Sequence, residues 1–206
     1  MGITLVVFGD RTAEEIIEAQ QAANSSDFDN IERVFFEQNK FEEVDAPRIE
    51  QHGSPVHYVV GIADHSWKNL VVQAAEERGW LAHTVVHPSA VVSPTAYVGQ
   101  GCFVGPQAVV STNAQVGGHS LIHIHSSIGH DASIGEQASI LPGARISGNA
   151  VIGKRCLVGS NAFVAAGVEL GNDCFVDALA YVARDIDEGM LVSSRSKIPV
   201  KRIRTS

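Results

Sequence analysis

Residues 116–140 read VGGHSLIHIHSSIGHDASIGEQASI, and an aliphatic side chain returns at every sixth position: Val116, Ile122, Ile128, Ile134 and Ile140. A six-residue return matches neither the 3.6-residue period of a helix nor the two-residue period of a strand. It fits short flat segments that turn a corner once per hexad. The register runs from Val86 to Asp187 as seventeen hexads, adding Val86, Val92, Val98, Val104, Val110, Ile146, Ile152, Val158, Val164, Leu170, Val176 and Val182 at the first position. Val, Ile and Leu make up about a quarter of the chain, so chance agreement at all seventeen is on the order of one in ten billion. The fifth positions are small except at Val168 and Ile186, and the second is often Gly, as in Gly117, Gly129 and Gly135, where a tight turn would call for φ freedom. With three faces per coil, this pattern predicts nearly six coils stacked about 4.8 Å apart, a prism about 27 Å tall.

The three cysteines, Cys102, Cys156 and Cys174, all fall on the small fifth position and read as core fillers rather than nucleophiles. Their odd number and the lack of CxxC spacing suit a reducing cytoplasm. A formal net charge of −8 argues against nucleic acid or an anionic membrane surface as a partner. The one basic cluster is terminal: Arg195, Lys197, Lys201, Arg202 and Arg204. The opening MGITLVVFGD has no basic leader and reads as a first strand, and no apolar run approaches the roughly 20 residues of a membrane span.

Before the repeat, residues 3–8 predict a buried strand and 12–23 a helix, with Thr12 and Glu15 in capping-box spacing. Strands are expected near 31–36 and 56–62, and a second helix over 66–78. This alternation implies a small parallel sheet, whose ligands bind beyond the carboxyl ends of its strands. Those ends carry Gly9, Asp10, Arg11, Glu37 and Ala63. A full dinucleotide fingerprint is absent, so a nucleotide pocket and a plain docking domain both fit.

Four of the nine histidines, His119, His123, His125 and His130, lie within twelve residues. None takes an inward hexad position, which places all four on corners or outer faces. His125 and His130 have the H-x4-H spacing of zinc-binding β-helical carbonic anhydrases, but Ser89 stands two coils earlier where a third ligand would be needed. An acid–base reading suits His130 better, because Asp131 follows it and can orient the imidazole.

The chain resembles the NeuD/PglD group of sugar acyltransferases. The resemblance rests on the opening strand, on Thr84-Val85-Val86-His87-Pro88-Ser89-Ala90-Val91-Val92, and on Ser127-Ile128-Gly129-His130-Asp131-Ala132-Ser133-Ile134-Gly135. It implies an α/β Rossmann-like nucleotide-sugar-binding domain over 1–83, a left-handed parallel β-helix of hexapeptide repeats over 84–188, and a basic tail over 189–206. It further implies a cytoplasmic homotrimer of surface-glycan biosynthesis that moves an acetyl group from acetyl-CoA to the amino group of a nucleotide-linked amino sugar. Acetyl-CoA serves as co-substrate, with no metal or other cofactor. Carried over by position, His130 is the base, Asp131 its partner, and His123 stands beside the acceptor. The donor then runs near Ser139, Gly148, Asn149, Ser160 and Ala178. Here Gly9-Asp10-Arg11-Thr12-Ala13 replaces the family's Gly-x-Gly-Gly-His, and Ser193-Ser194-Arg195-Ser196-Lys197 replaces Gly-x-Pro-Ala-Lys. The alternatives are O-acetylation of a sialic-acid-like sugar, a non-catalytic trimeric binding module, and a zinc β-helix.

Overall fold

In the computed structural model, which describes residues 2–23, 27–51, 53–195 and 199–201, β1 (Thr4–Phe8) is the centre of a four-stranded sheet. Its run TLVVF is apolar towards both faces, as a central parallel strand requires, and Leu5 to Phe8 are all buried. α1 (Arg11–Ala22) leads to β2 (Asn30–Val34), which pairs parallel to β1. Asp10 precedes α1 without a side-chain cap, so the expected capping box of Thr12 and Glu15 is not formed; both residues lie inside the helix. The stretch after β2 is helical as α2 (Gln38–Lys40), a π-helical turn (Phe41–Asp45) and α3 (Ala46–Glu50), none announced by hydrophobic period. It buries Phe41 against Phe8 and Trp80, with ring centroids 5.5 and 5.6 Å apart. β3 (Val56–Val60), α4 (His65–Glu77) and β4 (Leu81–Ala82) complete the sheet in the order β2-β1-β3-β4, all parallel. The Asp64 carboxylate accepts from the N–H groups of Ser66 and Trp67 and so caps α4.

From Val85 onward, seventeen two-residue strands follow, from Val85–Val86 to Tyr181–Val182. Each of the first fourteen pairs in parallel with the strand eighteen residues on, as Ile122 does with Ile140. Three sheets result: a first face through Val85, Phe103, Leu121, Ser139, Leu157 and Phe175, a second through Val91 to Tyr181, and a third through Tyr97 to Glu169. The chain is therefore a three-sided parallel β-solenoid of about six turns. Its first-position residues from Val104 to Val182 and all three cysteines are buried in one core.

The corners revise the reading of the glycines. Positive φ falls on the fourth hexad position, at Asn113, His119, His125, Asp131 and Asn149 among others, not on the second. Second-position glycines serve the close stacking of coils: a Cβ on Gly129 would stand 2.4 Å from the Gly148 nitrogen, and one on Gly117 would stand 2.6 Å from that of Glu136.

The α/β unit docks on the first face. Outward sixth-position residues Val85, Phe103 and Leu121 pack with Leu5, Val7, Ala13, Ile16, Ala19 and Val59. Burial of Phe103 and Leu121 contributes about 1.5–3 kcal/mol each. Beside them Lys68 of α4 is 0% exposed. Its Nζ donates to the carbonyls of Gln137 and Ala138 at 3.2 and 3.5 Å and to Ser139 Oγ at 3.0 Å. Ser139 in turn donates to the Ala63 carbonyl at 2.9 Å. Three acceptors match the three N–H bonds of an ammonium. Burial nevertheless pulls the Lys68 ammonium down to about 7, against the opposing influence of Cys102 and Asp64.

Candidate active site

His130 and Asp131 form the corner between the second and third faces, after the strand Ser127–Ile128 and before Ser133–Ile134. Asp131 takes the left-handed conformation, φ 59°, which aspartate tolerates better than most residues. His130 Nδ1 lies 2.8 Å from Asp131 Oδ2, and Asp131 Oδ1 accepts from Asn113 Nδ2 at 3.1 Å. Those two hydrogen bonds, the one from His130 first, hold the Asp131 carboxyl below the usual carboxylate range. A carboxylate only accepts, so the Nδ1 contact puts the imidazole proton there and leaves the Nε2 lone pair free. Both side chains are open to solvent, 62% and 46% exposed. Nε2 faces Gly148: a Cβ there would stand 2.5 Å away, so the space beside the free nitrogen exists because residue 148 is glycine. The Asn149 N–H donates to the His130 carbonyl at 2.9 Å and ties this corner to the next coil.

The other histidines lie on corners or outer faces, as the hexad register places them, but in different surroundings. His119, His125 and His130 occupy three successive corners and point in three directions, which separates the H-x4-H pair. Among the described residues, no three His, Cys, Asp or Glu side chains are grouped to hold a metal ion. His123 lies outside the coil as expected but is buried under α1, 3.8 Å from Glu15. Burial, and then the nearby Lys68, push it down to about 4. His119 stacks on Tyr58, with centroids 5.8 Å apart, and burial lowers it too. The hexad register tells inside from outside but not which outer face a second domain covers. His123 thus lies in the seam between the α/β unit and the solenoid.

At the carboxyl ends of the sheet, Asp10, Arg11 and Glu37 form an exposed charged rim. Gly9 is buried, with φ 131°, and a Cβ on it would stand 2.8 Å from the Gly61 carbonyl oxygen. The Ala63 carbonyl is engaged by Ser139. Ser139 itself is fully buried and belongs to the Lys68 seam. Gly148 and Asn149 sit beside His130, whereas Ser160 and Ala178 lie on the corner between the first and second faces. Of the basic tail, Arg195 and Lys201 are exposed, while Lys197, Arg202 and Arg204 lie outside the described residues.

Coil arithmetic also reaches three residues that no local motif marks, Asn113, Ala166 and Arg184. Subtracting eighteen from Asp131 gives Asn113. Adding eighteen repeatedly to His130 gives Gly148, Ala166 and then exposed Arg184 on the same corner.

Residues 149–184 match the family model described as the hexapeptide repeat of succinyl-transferase. No curated protein matches the chain. Among solved structures, PerB from Caulobacter crescentus, in complex with CoA and GDP-perosamine, is similar with a TM-score of 0.83 at 23% identity, over 94% of this chain and 95% of that one. The acetyltransferase domain of PglB from Neisseria gonorrhoeae gives 0.83 at 22%, over 96% and 99%. WeeI from Acinetobacter baumannii gives 0.80 at 19%, over 96% and 100%. The fold, including the α/β unit ahead of the solenoid, is common to all of them.

Proposed function

We propose that the protein is an acetyl-CoA-dependent N-acetyltransferase acting on the amino group of a nucleotide-linked amino sugar, with His130 as general base. The observation that carries this reading is the exposed His130–Asp131 pair with its free Nε2 held over Gly148. In the reaction the amine nitrogen attacks the thioester carbonyl carbon and its proton passes to Nε2. The tetrahedral intermediate then expels the thiolate, which takes that proton back and leaves as CoA. Asp131 keeps Nδ1 protonated and balances the imidazolium while it lasts.

The surroundings of the pair favour a long thioester donor. Above His130 the equivalent position carries Gly148 and Ala166 for two coils and Arg184 on the third, about 14 Å along the stack. A pantetheine arm fits such a ledge, with Arg184 at the phosphates. PerB, similar over nearly its whole length, is described as bound to CoA and GDP-perosamine, which supports both substrate classes.

The α/β unit sits on the first face, opposite the His130 corner, so an acceptor held at Asp10, Arg11 and Glu37 reaches the base of a neighbouring subunit more readily than its own. The proposed donor residues also divide between two corners. Both facts favour a homotrimer with its sites at subunit boundaries. The same reading takes the coil as left-handed, the α/β unit as Rossmann-like, and the reaction as a cytoplasmic step in surface-glycan assembly. Among the described residues no helix is long and apolar enough to cross a membrane, and the three cysteines are unbridged and buried. O-acetylation of a smaller sugar is the second reading, favoured by the closed packing at Gly9.

The test is CoA release from acetyl-CoA with GDP- and UDP-linked amino sugars and free sugars in parallel. Turnover only with the nucleotide-linked amines supports the proposal, turnover only with free hydroxyl sugars moves it to the second reading, and none with any acceptor overturns it. Gly148→Ala is expected to lower kcat by about 10- to 100-fold, because its methyl displaces Nε2 from the reacting geometry. The melting temperature should hold, since the corner is exposed; a thermal melt and steady-state rates check both.

A further inference from the structure

The His130 corner is bound into a column that continues below the reacting pair. The Asn113 N–H donates to Thr95 Oγ1 at 3.1 Å, and the Asn113 side-chain amide donates to Asp131 Oδ1 at 3.1 Å. Gln115 Nε2 reaches the Asn113 carbonyl at 3.4 Å, so the Asn113 backbone is held on both sides. Thr95, Asn113 and Asp131 are spaced eighteen residues apart, one per coil, at the same fourth hexad position. The direction of the amide is fixed by chemistry, because a carboxylate oxygen can only accept.

We infer that Asn113 is a positioning residue for the base, clamping the outer oxygen of Asp131 so that the other oxygen stays directed at His130 Nδ1. This inference rests on the proposed role of His130. An exposed carboxylate rotates broadly about its terminal torsion, and one anchored at a single oxygen would leave the imidazole free to turn and change tautomer. With Oδ1 held, the carboxylate plane, the Nδ1 proton and the direction of the Nε2 lone pair are determined together. The anchor lies one coil below the chemistry and touches neither the thioester nor the amine.

Asn113→Leu keeps the size of the side chain and removes the amide. The expected result is a roughly tenfold fall in kcat, the scale of one charge-assisted hydrogen bond, with KM for donor and acceptor unchanged. Loss of the amide also lets the Asp131 carboxyl protonate at higher pH, so the acid limb of the kcat/KM profile moves upward. Asn113→Asp places a second carboxylate against the first and moves that limb further in the same direction. A merely structural role would lower the melting temperature and leave the limb in place.

NMR of the resting protein separates this inference from the assigned reaction, because it needs no turnover. In the wild type the His130 nitrogen shifts should report the Nδ1–H tautomer and the Asp131 carboxyl should titrate low. In Asn113→Leu the tautomers should mix and the carboxyl midpoint should rise. Unchanged tautomer and carboxyl titration overturn the positioning role even if the enzyme proves inactive. Altered NMR titrations without acetyl transfer in the wild type would instead keep the clamp and remove the reaction assigned to it.

Discussion

His130→Asn is expected to lower kcat for acetyl transfer by about 10²–10⁴-fold, the usual contribution of a positioned general base. Asparagine retains a polar side chain near Asp131 but has no group that accepts a proton near neutral pH. Donor binding should persist, because the ledge of Gly148, Ala166 and Arg184 rises from the backbone of later coils and not from the imidazole. Calorimetry with acetyl-CoA is expected to give an affinity within about twofold of the wild type, while single-turnover acetyl transfer collapses. A variant that turns over at the normal rate would remove His130 from the chemistry. One that no longer binds acetyl-CoA would turn the residue into a donor contact.

The second large effect is a gain. An Asp10→Ala, Arg11→Ala double variant and the His130→Asn variant are each expected to be nearly silent alone. Unfolded and refolded together, they are expected to recover roughly a quarter of wild-type activity, since a quarter of random subunit boundaries join an intact sheet edge to an intact corner. The basis is the docking of the α/β unit on the first face, through Phe103, Leu121 and Lys68, away from the His130 corner. If mixed oligomers are verified by differential tagging and still show no activity, the site is contained within one chain.

The coil was legible because the solenoid imposes one demand at every hexad, and the aliphatic first position answers it from Val86 to Val182. The His130–Asp131 pair was legible because both partners are adjacent in sequence. Asn113 is not adjacent, and becomes a neighbour only once eighteen residues are known to make one coil. The glycines were located correctly but explained wrongly, since composition does not distinguish a need for positive φ from a need for close approach; Gly129 shows the second and Asp131 the first. The burial of His123 and Ser139 escapes the hexad register for a different reason. Covering by another domain is a tertiary fact, and its trace was an apolar sixth position recurring at Val85, Phe103 and Leu121 on every third hexad. Nothing around Lys68 in the sequence marks it as the cation beneath that cover.

The uninterrupted eighteen-residue coil has a consequence for how such a protein can change. Each coil touches only its neighbours, and no loop leaves the stack between Val85 and Val182. The span from His130 to Arg184 is therefore quantised, three storeys in this chain, and it can lengthen or shorten only by whole storeys of about 4.8 Å. A descendant adapted to a longer or shorter donor would gain or lose eighteen residues at once, while each point substitution changes only the furnishing of one storey.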